Sequence, residues 1–356
     1  MASITKRGKT WSYRVYYYEN GDRKYVSQSG FKTKAEAKDA SILKENELLI
    51  GRKVSQDKVL LADYMERWKT LYKDDYISVR SLARIKNIIN YVRKNYNLPL
   101  KDITHENYQE FLNTIAKNNA KETVKKYHTY VKAAIRHAVE TRVLLYNPTS
   151  TAIVKGNETK TKDKENKYLD YEEFKKLEKV LLEDIQPTYS SRYIILFSMY
   201  TGARFGECLG MTWDCVDLEN KTIKIEKGFD YQFTKDFTDG KTKSSKRIIT
   251  IPDILVDLLK TAPKPKNITD TVFARISPNA ANKALRKALK RAGIKKDVTF
   301  HALRHTHASI LLANGVQLLS VSKRLGHADP NITLHTYAHI IKELEEEDSK
   351  KINTIF

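Results

Sequence analysis

Cysteine is almost missing from this 356-residue chain: Cys208 and Cys215 are the only two. That excludes a disulfide framework and leaves no second pair to complete a zinc cluster. Both are expected as small buried apolar side chains on a helix and its continuation. Long apolar runs are missing too. Nothing approaches the ~18 to 20 residues that span a bilayer, and the N-terminus has no apolar signal-peptide core. The expectation is a soluble, cytoplasmic protein with no membrane partner. No G-x-x-x-x-G-K-[ST] loop and no dinucleotide fingerprint occur, which removes the usual nucleotide-dependent classes. Acid is the scarce charge, 43 Asp and Glu against 64 Lys and Arg, for a formal charge of +21. Such a surplus favours a polyanionic partner, most simply nucleic acid, with an anionic membrane surface as the other way to use it.

The length predicts two or three domains, each able to bury a core. Residues 10 to 31, TWSYRVYYYENGDRKYVSQSGF, alternate β-favouring aromatics with polar residues around Asn20-Gly21, a hairpin-turn signal, and a helix should follow. Up to Lys34 there are eight basic and two acidic residues. A basic sheet with exposed aromatics is read as a DNA-docking module over residues 1–55, since a sheet can enter a major groove; an ordinary solvated sheet is the plainer alternative. Arg14, Arg23 and Lys24 are its candidate DNA contacts. Over residues 58–153 the apolar spacing becomes helical in four stretches, predicting a helical bundle with 17 basic and 9 acidic residues. Arg80, Arg84, Lys125, Lys126 and Lys132 recur on its helix faces, as DNA contacts or as solvated surface. Residues 154–167 are nearly devoid of apolar side chains and alternate in charge, and are read as a linker. The remainder, 168–356, combines helices with a strand pair around KTIKIEKGF and KRIITIP. The fold class is therefore multidomain, mainly α with small β-sheets.

The chemistry concentrates near the C-terminal end, where six of the nine histidines lie between residues 301 and 339. In HALRHTH, His301 and His305 are four apart and would share one helical face. A metal site there lacks the glutamate of an H-E-x-x-H helix and an acidic third ligand, and Arg304 places a fixed positive charge beside any cation. A phosphate site needs the opposite: forked cationic donors, imidazoles and a nucleophile without acidic neighbours. Downstream, SKRLGHADPNITLHTYAHI offers His327 after a glycine turn, Asp329-Pro330 as helix cap and first helical residue, and Tyr337 on that helix. Taken alone, Tyr337 also fits a core position, since Ile341 and Leu344 share its face.

Five separated elements occur in fixed order: TGARFGE at 201–207, GKTKSSKR at 240–247, HALRH at 301–305, LGH at 325–327, and Tyr337. This set resembles the tyrosine recombinase (phage integrase) family, in particular integrases of temperate phages and integrative elements of Gram-positive bacteria. The resemblance extends upstream to a three-stranded arm-binding domain with its helix and a helical core-binding domain, followed by the mixed α+β catalytic domain. It implies a site-specific recombinase that cuts and rejoins DNA through a 3'-phosphotyrosine and a Holliday junction, integrating and excising a mobile element.

Residue by residue, the resemblance implies that Arg204 and Arg304 clamp the scissile phosphate, His301 helps to accept the tyrosine proton, His327 hydrogen-bonds a non-bridging oxygen, and Tyr337 attacks phosphorus. A hairpin lysine would protonate the leaving 5'-hydroxyl; Lys241 fits best, Lys243 is the runner-up, and Lys246 is also in range. Glu207 either orients His301 or an arginine, or serves only as a helix cap or structural ion pair. His305 and His307 are assigned to structure, and His335 and His339 to positions pointing away from the nucleophile. The resemblance also implies double-stranded DNA with core and arm-type sites, a tetramer on that DNA, an excisionase and a host DNA-bending protein as partners. No metal or cofactor is expected, because a covalent phosphotyrosine conserves the bond energy and fixed arginines can replace divalent ions. A type IB topoisomerase, a catalytically inactive DNA-binding regulator and a metal nuclease are the rival readings.

Overall fold

The computed structural model describes residues 2–19, 22–49, 59–160, 168–183, 185–239, 245–262, 266–267 and 269–338. The chain divides into two compact units, Met1–Thr161 and Lys162–Phe356.

The first unit opens with the antiparallel sheet β1 (Ser3–Arg7), β2 (Thr10–Glu19) and β3 (Asp22–Phe31), in that order across the sheet. Glu19 pairs with Asp22, framing the expected two-residue turn, whose residues themselves lie outside the described ones. Alternation along β2 buries Tyr13 and Val15 on one face, where helix α1 (Lys34–Leu49) packs and contributes the buried Ala37. The other face carries Arg14, Tyr16 and Tyr18.

Helices α2 (Leu61–Tyr72), α3 (Val79–Asn95), α4 (His105–Asn118) and α5 (Lys121–Glu140) form the expected bundle. Ser78 caps α3 by accepting the Ser81 N–H, and Thr104 with Asn107 closes a capping box on α4. Leu61, Met65, Ile85, Ile89, Leu112 and Ile135 fill its core. The start of the expected linker is corrected here. Residues 154–160 dock on the bundle: Val154 packs against its core, and Asn157 donates its backbone N–H to the Asn119 carbonyl (2.8 Å) and its side-chain amide to the Lys117 carbonyl (2.8 Å). A polar segment with little to bury is held by satisfying the open carbonyls after α4.

The second unit is built around α7 (Ser190–Thr201), whose Ile194, Ile195, Leu196, Phe197 and Met199 are all buried. A helix apolar on every side is a central helix. Against it pack α6 (Tyr171–Glu183), α9 (Asp253–Thr261), α10 (Pro278–Arg291) and α11 (Phe300–Ala313), with the short α8 (Phe205–Leu209) following it in the chain. The strand pair expected from the sequence is present as β5 (Thr222–Ile225) with β8 (Arg247–Thr250). The two-residue β4 (Val216–Asp217) extends it, and β6 (Lys227–Phe229) with β7 (Phe237–Asp239) forms a separate hairpin. α12 (Leu318–Leu325) and a helical run over 330–338 complete the described fold. Cys208 and Cys215 are buried free thiols, in α8 and in the turn after it.

Candidate active site

The chain leaves α7 through Gly202, whose φ of 67° is left-handed. Arg204 then stands at the N-cap of α8. Glu207, one turn on, accepts the Arg204 backbone N–H at 2.9 Å and its Nη1 at 2.7 Å. Arg247 reaches the same carboxylate from β8, with Nη2 2.9 Å from Oε2 and Nη1 3.3 Å from Oε1, and donates Nε to the Arg324 carbonyl at 2.7 Å. Burial by itself would raise Glu207, but the Arg247 hydrogen bonds and charge, and then the Arg204 charge, hold the carboxyl below its ordinary value. Of the roles open to Glu207 in the sequence, the structure shows it capping α8 and pairing with two arginines.

Arg304, on α11, is only 3 % exposed. Its Nη1 donates to the Gly202 carbonyl at 2.9 Å and its Nη2 to the Leu325 carbonyl at 2.6 Å. Among the described residues no carboxylate hydrogen-bonds it. Burial first, and the Arg204 charge second, push Arg304 down to about 9, so it remains a cation at neutral pH. His301, one turn earlier and open to solvent, is lowered by desolvation and by the charges of Arg304 and Arg204.

His307 is buried on the far side of this helix. Its Nδ1 lies 2.9 Å from the Met199 carbonyl, which can only accept, so Nδ1 carries the hydrogen and Nε2 accepts from Arg324 Nε at 3.0 Å. Burial and the Arg324 charge push His307 down to about 3. It is a neutral structural link between α11, α7 and α12, as expected.

α12 ends in a Schellman motif: Gly326, at a φ of 69°, donates to the Lys323 carbonyl (2.9 Å) and His327 to the Ser322 carbonyl (3.1 Å). The turn presents the His327 imidazole, whose Nδ1 lies 2.7 Å from the Thr333 hydroxyl. Burial, followed by the charges of Arg304, Arg204 and Arg247, pushes His327 down to about 4. Asp329 accepts the Asn331 N–H at 2.9 Å where the next helical run begins. Thr333 and Tyr337 sit one turn apart on its buried face. Tyr337 is 2 % exposed, packed among Ala308, Leu312, Val321 and Leu325. Desolvation raises its phenol well above the ordinary value, against the opposing charge of Arg304.

The structure thus gathers Arg204, Glu207, His301, Arg304, His327 and Tyr337 within one unit. His305, assigned to structure in the sequence, is the histidine that meets the tyrosine: its Nδ1 is 2.9 Å from the Tyr337 hydroxyl, and His301 instead lies edge-on to His305 with ring centroids 5.1 Å apart. The physical reason is helical pitch, since His301 and His305 share a face and the 330–338 run crosses it nearer the later turn. The signal was the four-residue spacing itself. Arg247 and Arg324 were missed because each stands beside a lysine in a basic stretch. Lys241, Lys243 and His339 lie outside the described residues, whereas Lys246 and His335 are exposed. No group of three or more His, Cys, Asp or Glu side chains among the described residues could hold a metal ion, and no described helix is long and apolar enough to cross a membrane.

On the N-terminal sheet, Arg14 lies over the Tyr25 ring at 4.4 Å and Arg23 over Tyr16 at 4.3 Å, with Tyr18 74 % exposed beside them. Lys24, which pairs with Tyr17, is exposed on the opposite face of the sheet. Arg80 and Arg84 are exposed on α3, and Lys125, Lys126 and Lys132 on α5.

Residues 167–343 match the Phage integrase family and residues 2–48 an Arm DNA-binding domain. The integrase of Staphylococcus phage L54a is 28 % identical over 82 % of this chain and 92 % of its own length. Solved structures that share the fold include the following two. The integrase of transposon Tn1549 in complex with transposon right end DNA has a TM-score of 0.69 at 16 % identity, covering 83 % of this chain and 100 % of that one. A lambda integrase tetramer bound to a Holliday junction gives 0.60 at 18 % identity, covering 92 % and 96 %. With arginines, histidines and a tyrosine converging in that fold, the chain belongs to the phage integrase family of tyrosine recombinases, enzymes that break and rejoin DNA in site-specific recombination.

Proposed function

We propose that this chain integrates and excises a mobile DNA element, with Tyr337 as the nucleophile that forms a 3'-phosphotyrosine. The observation that carries the site assignment is Arg304: a guanidinium 3 % exposed, held by two backbone carbonyls, with no hydrogen-bonded carboxylate among the described residues. A desolvated cation in that state is stabilised by an incoming anion, and a scissile phosphate supplies one. Arg204, fixed by Glu207, clamps the same phosphate, and His327 donates to a non-bridging oxygen. Lys241 or Lys243 protonates the leaving 5'-oxygen. The chain's modules divide as an arm-binding domain (1–55), a core-binding domain (58–153, with 154–160 docked on it) and the catalytic domain from 168. Arg14, Arg23 and Lys24 contact arm-type DNA, while Arg80, Arg84, Lys125, Lys126 and Lys132 contact the core.

The partners are those the family resemblance implies: double-stranded DNA, three further copies of the chain around a Holliday junction, an excisionase and a DNA-bending protein, all in the cytoplasm with the host nucleoid. A plasmid carrying the two candidate attachment sequences, incubated with the protein in EDTA, tests the proposal. Recombinant product is expected. Relaxation without recombination would favour the topoisomerase reading, and loss of product to EDTA the metal nuclease.

A further inference from the structure

We infer that His305, rather than His301, is the group that takes the phenolic proton of Tyr337 when the tyrosine attacks phosphorus. The inference rests on Tyr337 being the nucleophile. Three observations meet. The Nδ1 to hydroxyl distance is 2.9 Å, within direct proton-transfer reach, and His305 is the hydrogen-bond partner of that hydroxyl among the described residues. Tyr337 is 2 % exposed, so bulk water is not at hand to receive its proton and the acceptor belongs to the protein. The phenol is neutral at physiological pH and its buried O–H needs an acceptor, which sets His305 Nδ1 as the lone-pair nitrogen and places the ring hydrogen on Nε2.

His301 is the next ring along the same helix face, 5.1 Å from His305 centroid to centroid and open to solvent. His305 is therefore a catalytic residue in contact with the reacting oxygen.

The step balances. The Tyr337 oxygen forms its bond to phosphorus as the bond from phosphorus to the 5'-oxygen breaks, and that bond's electron pair leaves with the 5'-oxygen. The phenolic proton moves to His305 Nδ1, and the 5'-oxygen takes a proton from the hairpin lysine. In rejoining, the 5'-hydroxyl returns its proton to the hairpin lysine as its oxygen attacks phosphorus, the bond from phosphorus to the Tyr337 oxygen breaks, and that oxygen takes its proton back from His305.

The test compares full-length wild type, His305→Ala and His305→Asn in single-turnover cleavage of a nicked suicide duplex made from the element's own junction sequence. Binding is followed by gel shift. An asparagine oxygen sits near the position of Nδ1 and accepts the phenol hydrogen bond but cannot take its proton. Both variants should bind DNA like wild type and form the covalent adduct slower by about a hundredfold or more. Replacing Tyr337 by a fluorinated, more acidic tyrosine should then recover about tenfold in each variant relative to its effect in wild type.

Asparagine within about threefold of wild type, or no selective recovery with the fluorinated residue, makes His305 a positioning group and overturns the inference. Should His305→Ala not fold, His305→Asn carries the comparison. If wild type itself forms no adduct at Tyr337, the nucleophile assignment fails instead, and the two failures are distinguishable.

Discussion

Arg247 holds Glu207 with two donors, at 2.9 and 3.3 Å, and by doing so ties β8 to the N-terminus of α8 where Arg204 stands. The side chains are 6 % and 12 % exposed, so each has little water to fall back on. Arg247→Met should therefore leave a nearly buried carboxylate half-satisfied and destabilise the catalytic unit by on the order of 3 kcal/mol. It should also slow cleavage, because Glu207 is then free to follow Arg204. Arg247→Lys, with one donor in place of a fork, should recover only part of both. Denaturant unfolding and adduct formation measure the two effects.

Gly202 is the next sensitive point. A Cβ there would lie 2.8 Å from Leu325 Cδ2 and 2.9 Å from His307 Cδ2, at a φ of 67°. Gly202→Ala should cost about 2 kcal/mol or more from the left-handed backbone and the crowding together. Activity should fall further than stability, because the Gly202 carbonyl anchors Arg304. A variant with wild-type melting and wild-type cleavage would contradict this.

His307 and His327 are held neutral, at about 3 and about 4 against an ordinary 6.5, both chiefly by burial. Between 6.5 and those values the unfolded chain binds protons that the native chain does not. The stability gained by keeping them neutral is complete above pH 6.5 and is lost as the pH falls toward 4 and then 3. Melting temperature should drop between about pH 6.5 and about 4.5, and His307→Leu, less stable throughout, should show a shallower drop. Equal slopes in the two proteins would count against His307 as a source.

Deleting residues 1–55 should weaken protection at distal arm sites more than at the crossover core, as read by footprinting. In the full chain the affinity for DNA should fall steeply with salt, with a slope near 0.9 for about each phosphate neutralised. Equal loss at arm and core would refute the assignment of Arg14, Arg23 and Lys24.

Legibility in the sequence followed the range of the interaction. Period-two alternation gave β2 and its buried Tyr13 and Val15, and helical spacing gave the bundle. Glycine and Asp-Pro punctuation marked the turn that presents His327. What escaped was set by tertiary approach. In RIIT both isoleucines are apolar, so alternation alone does not choose a face; Ile249 is 5 % exposed and Ile248 67 %, and Arg247 goes inward with Ile249. His305 meets Tyr337 across 32 residues of sequence, a pairing that no local pattern encodes. The 154–160 segment looked like linker because it has little to bury, yet Val154 packs on the bundle core and the Asn157 hydrogen bonds secure the rest.

The central claim is that Tyr337 bonds covalently to DNA. Wild type and Tyr337→Phe, each incubated with a nicked suicide substrate, are denatured in SDS and compared. Wild type should give an SDS-stable adduct mapping to Tyr337, and the phenylalanine variant should bind the same DNA but give none. An adduct retained by Tyr337→Phe would contradict the account.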